Sequence, residues 1–100
     1  MDLMRETDPF FTEFGELDDK AFKQDAISKK FKELTMIAIS IVEKCAECIE
    51  YHIEESKKAG ASRDEILESI KMGMMAGGSV TYPYVRHAFK IMAVLGIIKI

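Results

Sequence analysis

Apolar residues recur at spacings of three and four along most of the chain, a period that predicts helices rather than strands. The clearest run starts at Ser28, where Phe31, Leu34, Ile37, Ala38, Ile41 and Val42 fall on one helical face. Met36 and Ile39 widen that face, so this helix is expected to be buried on most sides. Ahead of it, Asp8 reads as an N-cap and Pro9 as a first-turn residue, opening a short helix that Gly15 weakens or ends. Phe14, Leu17, Ala21 and Phe22 make a stripe read as a hydrophobic lid, either on the core or on a neighbouring subunit. Asp25 to Lys30 is a polar linker. The expected organisation is therefore a single domain, with residues 1–27 as an N-terminal helical lid and residues 28–100 as the core.

The remaining punctuation is equally helical. A helix carrying Ile49, Ile53 and Ser56 should stop at Gly60, with Lys57 and Lys58 complementing the negative end of its dipole. Ser62 and Glu65 form a capping-box pattern, and Ile66, Ile70, Met74 and Met75 of the next helix should face inward. Gly77-Gly78 breaks that helix. Ser79 or Thr81 then opens a final one, with Pro83 in its first turn, Val85, Ala88, Phe89, Met92 and Leu95 along its length, and Gly96 after it. The tail Ile97–Ile100 is too apolar to stand in water and should dock. The predicted class is all-α, with roughly five to six helices.

Within this frame one cluster carries chemistry. Cys45 and Cys48 are three residues apart and His52 follows four later. On a helix, Cys48 lies roughly 60° and His52 roughly 20° around from Cys45, so the three share a face. Two thiols beside a base form a dithiol that can be activated and can close a disulfide. Glu33 belongs with them only if the chain breaks near Glu43 to Cys45 and returns antiparallel. In one unbroken helix it would stand about 18 Å from Cys45 along the axis. In a hairpin the order by depth is Glu33, His52, Cys48, Cys45: a carboxylate orienting an imidazole that can deprotonate Cys48. The alternative for Glu33 is a solvated charge pairing with Lys29, Lys30 or Lys44.

The spacing Glu33-x(11)-Cys45-x(2)-Cys48-x(3)-His52, with Gly60-Ala61-Ser62 and the acidic pair Asp64-Glu65 beyond it, resembles the alkylhydroperoxidase D-like (AhpD-like) branch of the carboxymuconolactone decarboxylase family. The resemblance runs from about Phe31 to Ala76, and more loosely to the C-terminus. It implies an all-helical fold, a redox-active cysteine pair at the start of a central helix, and a homo-oligomer, often a trimer or hexamer. Matched position by position, it implies Glu33 and His52 as the proton relay, Cys48 as the peroxide-attacking thiol and Cys45 as its resolving partner. It implies no bound cofactor, only an external thiol or protein reductant, with a small hydroperoxide or disulfide as substrate. Several members carry a histidine directly before the second cysteine; here that position is Glu47. An acid there raises the neighbouring thiol's pKa if it points inward.

Composition narrows the alternatives. The chain is 48% apolar with seven Met, rich for so small a domain, so assembly is the simplest way to hide that surface. A net charge of −3 with interspersed signs gives no electrostatic case for nucleic acid. No apolar run suits a membrane span, and the first residues do not read as a signal peptide, so a reducing cytoplasmic setting is expected. In such a setting a Cys-x-x-Cys is more often catalytic or metal-binding than structural. Cys45, Cys48 and His52, with Glu33 or His87, would make a zinc ligand count, but the thiol-redox reading is preferred. The absence of βαβ alternation disfavours a thioredoxin fold. The rivals are a lactone-type decarboxylase, which needs no cysteine pair, and a non-catalytic redox sensor. His87 is expected to pack or hydrogen-bond, Tyr82 and Tyr84 to sit in a core, interface or pocket mouth, and the methionines to pack adaptably.

Overall fold

The computed structural model describes residues 2–99. Its elements are α1 (Leu3–Thr7), α2 (Pro9–Ala21), α3 (Lys29–Val42), α4 (Ala46–Lys58), α5 (Arg63–Gly77), a 3-10 turn at Ser79–Thr81, and α6 (Tyr82–Val94). Among the described residues there is no strand, and the fold is an all-α arrangement of six helices. α3 packs against both α4 and α5, and α4 also packs against α6. Leu34, Ile37 and Ile41 of α3, Ile49 and Ile53 of α4, Ile66 and Ile70 of α5, and Ala88 and Met92 of α6 form the buried core. No helix is long and apolar enough to cross a membrane among the described residues.

The caps explain most of the boundaries. Ser28 accepts from the Phe31 amide at the start of α3, and Ser62 and Glu65 complete a reciprocal capping box on α5. Pro83 sits in the first turn of α6. Ile97 and Ile98 dock against the core as expected, and Ile100 lies outside the described residues. α3 and α5 approach closely at Gly73, where an added Cβ would stand 2.8 Å from the Ala38 carbonyl oxygen. The Ser69 hydroxyl donates to the Leu34 carbonyl in the same contact.

Several expectations are corrected. α2 does not end at Gly15 but continues to Ala21. The Arg5 guanidinium of α1 lies over Gly15, where a Cβ would come within 2.6 Å of it. The lid stripe does not cover the core, since Phe14 and Leu17 are exposed and only Phe22, just past α2, turns inward. α3 is buried on one side rather than most sides, with Phe31, Ile39 and Val42 exposed. Met75 points outward, while Gly73 is buried along with Ile66 and Ile70. A short α1 precedes Asp8, its N-terminal amides capped by the Asp2 carboxylate.

Candidate active site

The site is organised by the turn between α3 and α4. α3 ends at Val42 and α4 begins at Ala46. Lys44, with φ 57°, is the only non-glycine in the left-handed region among the described residues. Its amide donates to Ile41 O and the Cys45 amide donates to Ser40 O, the paired bonds of a Schellman C-terminus. Cys45 is at once the residue closing α3 and the N-cap of α4, where its sulfur accepts from the Cys48 amide at 3.2 Å. The first cysteine is thereby fixed by backbone bonds on both sides.

Cys45 and Cys48 are joined as a disulfide, with Cα atoms 5.2 Å apart. Four residues on, one helical turn deeper, His52 is buried, and its Nδ1 lies 2.7 Å from Oε1 of Glu33 on the facing helix. Glu33 is only 2% exposed. Its other oxygen, Oε2, receives the Lys29 ammonium at 2.9 Å. Glu33 therefore faces the imidazole and also pairs with Lys29, but as a buried carboxylate rather than the solvated charge of the alternative reading. A carboxylate can only accept, so Nδ1 carries the proton and the Nε2 lone pair is left to take another. Removing Glu33 from water costs free energy that these two charge-assisted bonds offset.

Aromatic rings complete the wall. The Phe22 ring stacks on His52 with centroids 5.5 Å apart, and the Tyr51 ring lies 5.1 Å from the imidazole. A cavity of about 390 Å³ opens beside Glu33, bordered by Asp18, Phe22, Lys29, Tyr51 and Glu55. Burial, then the charges of Glu55 and Asp18, push the Tyr51 hydroxyl above its usual pKa of 10.0. The hydrogen bond to Glu33, against a smaller burial penalty, holds the Lys29 ammonium above its usual 10.5. Glu47 is exposed, so it does not point in at the thiols. His87 Nε2 donates to Ala46 O, 3.2 Å away, bracing the start of α4 from α6. Among the described residues, no group of three or more His, Cys, Asp and Glu is arranged to hold a metal ion.

The four residues singled out from spacing thus lie on one hairpin, with the two sulfurs bonded and Glu33 against His52. Lys29 was named only as a surface alternative and Phe22 only as part of a lid. Lys29 reaches Glu33 as an i,i+4 neighbour on α3, whereas the approach of Phe22 depends on the path of residues 22–28, for which the periodic pattern carries no signal.

The profile of the carboxymuconolactone decarboxylase family matches residues 8–93. The chain belongs to that family. A relative in Paracoccus denitrificans, "Uncharacterized protein 4 in cox locus", is 32% identical over 82 residues, spanning 82% of this chain and 71% of the relative. Among solved structures, a carboxymuconolactone decarboxylase family protein of Thermotoga maritima, described as a candidate for involvement in an antioxidative response, superposes with a TM-score of 0.84. The two are 30% identical over 89% of this chain and 92% of that one. A family member from Legionella pneumophila, solved in the apo form, gives a TM-score of 0.81 at 32% identity over 93% of this chain and 82% of that one. Within the family, the Cys-x-x-Cys at the start of a helix is in keeping with the alkylhydroperoxidase D-like branch.

Proposed function

We propose that this family member is a thiol-dependent oxidoreductase of the peroxidase type. The observation that carries the reading is the 2.7 Å contact between Glu33 and His52 one helical turn beneath the Cys45–Cys48 pair. In the reduced protein His52 takes the Cys48 proton at Nε2, and Glu33 holds the ring and stabilises the imidazolium. The Cys48 thiolate attacks the terminal oxygen of a hydroperoxide; the O–O bond breaks, the alkoxide takes the proton from His52, and an alcohol leaves. Cys48 is now a sulfenic acid. Cys45 attacks its sulfur, water departs, and the disulfide closes. An external dithiol, small or protein-borne, then supplies two electrons and two protons to restore both thiols. When it attacks Cys48, Cys45 is the leaving group, and the Cys48 amide at the N-terminus of α4 stabilises its anion.

A homo-oligomer, trimer or hexamer, is part of the same proposal. Phe14, Leu17, Met75, Val80 and Val94 are exposed in the single chain, a distribution suited to burial against further copies. The test is to count turnovers of a small hydroperoxide under a recycling dithiol. Many turnovers per chain, lost when both cysteines become Ser, support the catalyst. A single oxidation per chain supports a sensor, and unchanged hydroperoxide turnover without the thiols contradicts the mechanism.

A further inference from the structure

One charge at the deep end of the relay has no role in the chemistry above. Lys29 stands one turn before Glu33 on α3, and the Glu33 carboxylate is divided between two partners, Oε2 on the ammonium and Oε1 on His52 Nδ1. The Lys29 side chain is 42% exposed whereas that of Glu33 is 2% exposed, so the lysine links the buried carboxylate to the adjoining cavity. Its Nζ also lies 5.9 Å from the centre of the Phe22 ring, the ring stacked on His52.

We propose that Lys29 is a positioning residue for the relay, holding Glu33 as a carboxylate so that the proton stays on His52 Nδ1. The proposal rests on the thiol-redox reading of the site. A buried carboxyl whose only partner is a neutral imidazole favours its protonated form. Protonated Glu33 would donate to Nδ1, the ring's own proton would sit on Nε2, and the base facing Cys48 would be lost. The surroundings are rich in acids. From α4, His52 meets Glu33 itself and Tyr51 and Glu55 border the cavity, as do Asp18 and Asp19 from α2, with Lys23 the other cation there. Lys30, the next residue, is directed to Glu65 of α5 at 3.0 Å. Three carboxylates thus border the same cavity as Glu33, and Lys29 is the ammonium in contact with it. An ordinary exposed i,i+4 pair would leave thiol chemistry unmoved.

The test is the rate at which iodoacetamide alkylates Cys48, followed from about pH 5 to 9, in reduced protein carrying Cys45→Ser. Serine preserves an N-cap at that position. Lys29→Met and Lys29→Gln are expected to move the alkylation midpoint upward by about half to one unit, and Lys29→Arg to restore it. With Glu33→Gln also present, Lys29→Met should shift nothing, because no carboxyl remains to be held. An unmoved midpoint in folded Lys29→Met and Lys29→Gln would overturn the proposal. So would the same shift in the Glu33→Gln background, or unfolding of both neutral variants, which would make the lysine a structural residue. Alkylation needs no peroxide, so a shifted midpoint in a protein without turnover sinks the peroxidase reading and leaves this one standing.

Discussion

α2 and α3 carry comparable apolar stripes, yet α3 buries Leu34, Ile37 and Ile41, whereas α2 leaves Phe14 64% and Leu17 63% exposed. The difference lies in neighbours rather than in periodicity. α3 is flanked by α4 and α5 and meets one of them along most of its length, while α2 packs chiefly on the short α1. Amphipathic spacing thus decides that a segment is helical; it does not decide what covers the apolar face. The one part of this arm that reaches the site is Phe22, the residue capping α2, which lies against His52. The helices that share the buried core hold the chemistry, and the more exposed N-terminal arm closes one wall of it.

That contrast can be broken most sharply at the site. Cys48→Ser is expected to abolish hydroperoxide turnover, whereas Leu17→Ser on the arm should leave turnover of each intact site unchanged, both followed in the recycling assay. Stability should divide the same way. Ile37→Ala, at a fully buried position, is expected to cost about 2–5 kcal/mol in chemical denaturation. Leu17→Ser should stay within about 0.5 kcal/mol for the monomer. Its effect should instead appear as a smaller particle in gel filtration, if the exposed stripe is covered by another copy.

A smaller effect, of opposite sign, is expected at the turn. Gly60 and Gly96 adopt positive φ after α4 and α6, but after α3 that position is Lys44. Lys44→Gly should raise stability by about 1 kcal/mol, because a Cβ is disfavoured in the left-handed region. The smallest expected effect is at the α5 cap. The Ser62 amide and then Lys30 hold the Glu65 carboxyl below its usual 4.5. Its contribution is complete above that value and is lost as pH falls through the lowered one, so Glu65→Gln should flatten the acid limb of a melting-temperature curve slightly.

How much of this was legible follows from what each feature depends on. The core stripe, the capping box at Ser62 and Glu65, and the stops at Gly60 and Gly96 are local patterns, and they appear where the residues place them. The α3–α4 break was legible only because Glu33 cannot reach Cys45 without it; Lys44 gives no glycine signal for the turn it makes. The passage of α2 through Gly15 was not legible, because a single glycine weakens a helix without ending it and the residue alone does not say which. Lys29 and Phe22 escaped for a similar reason. Whether a lysine beside a glutamate is a surface pair or one end of a buried network depends on which helix faces it, and period alone does not say.

The account stands or falls on whether the buried acid and imidazole activate Cys48. The direct measurement is the pH dependence of Cys48 thiolate formation, read by ultraviolet absorbance in the reduced protein and in its Glu33→Gln variant. The account predicts that the thiolate forms in the native protein well below the ordinary thiol value of about 8.5, and returns toward that value when Glu33 is replaced. Identical curves for the two proteins, both near the ordinary value, would contradict it.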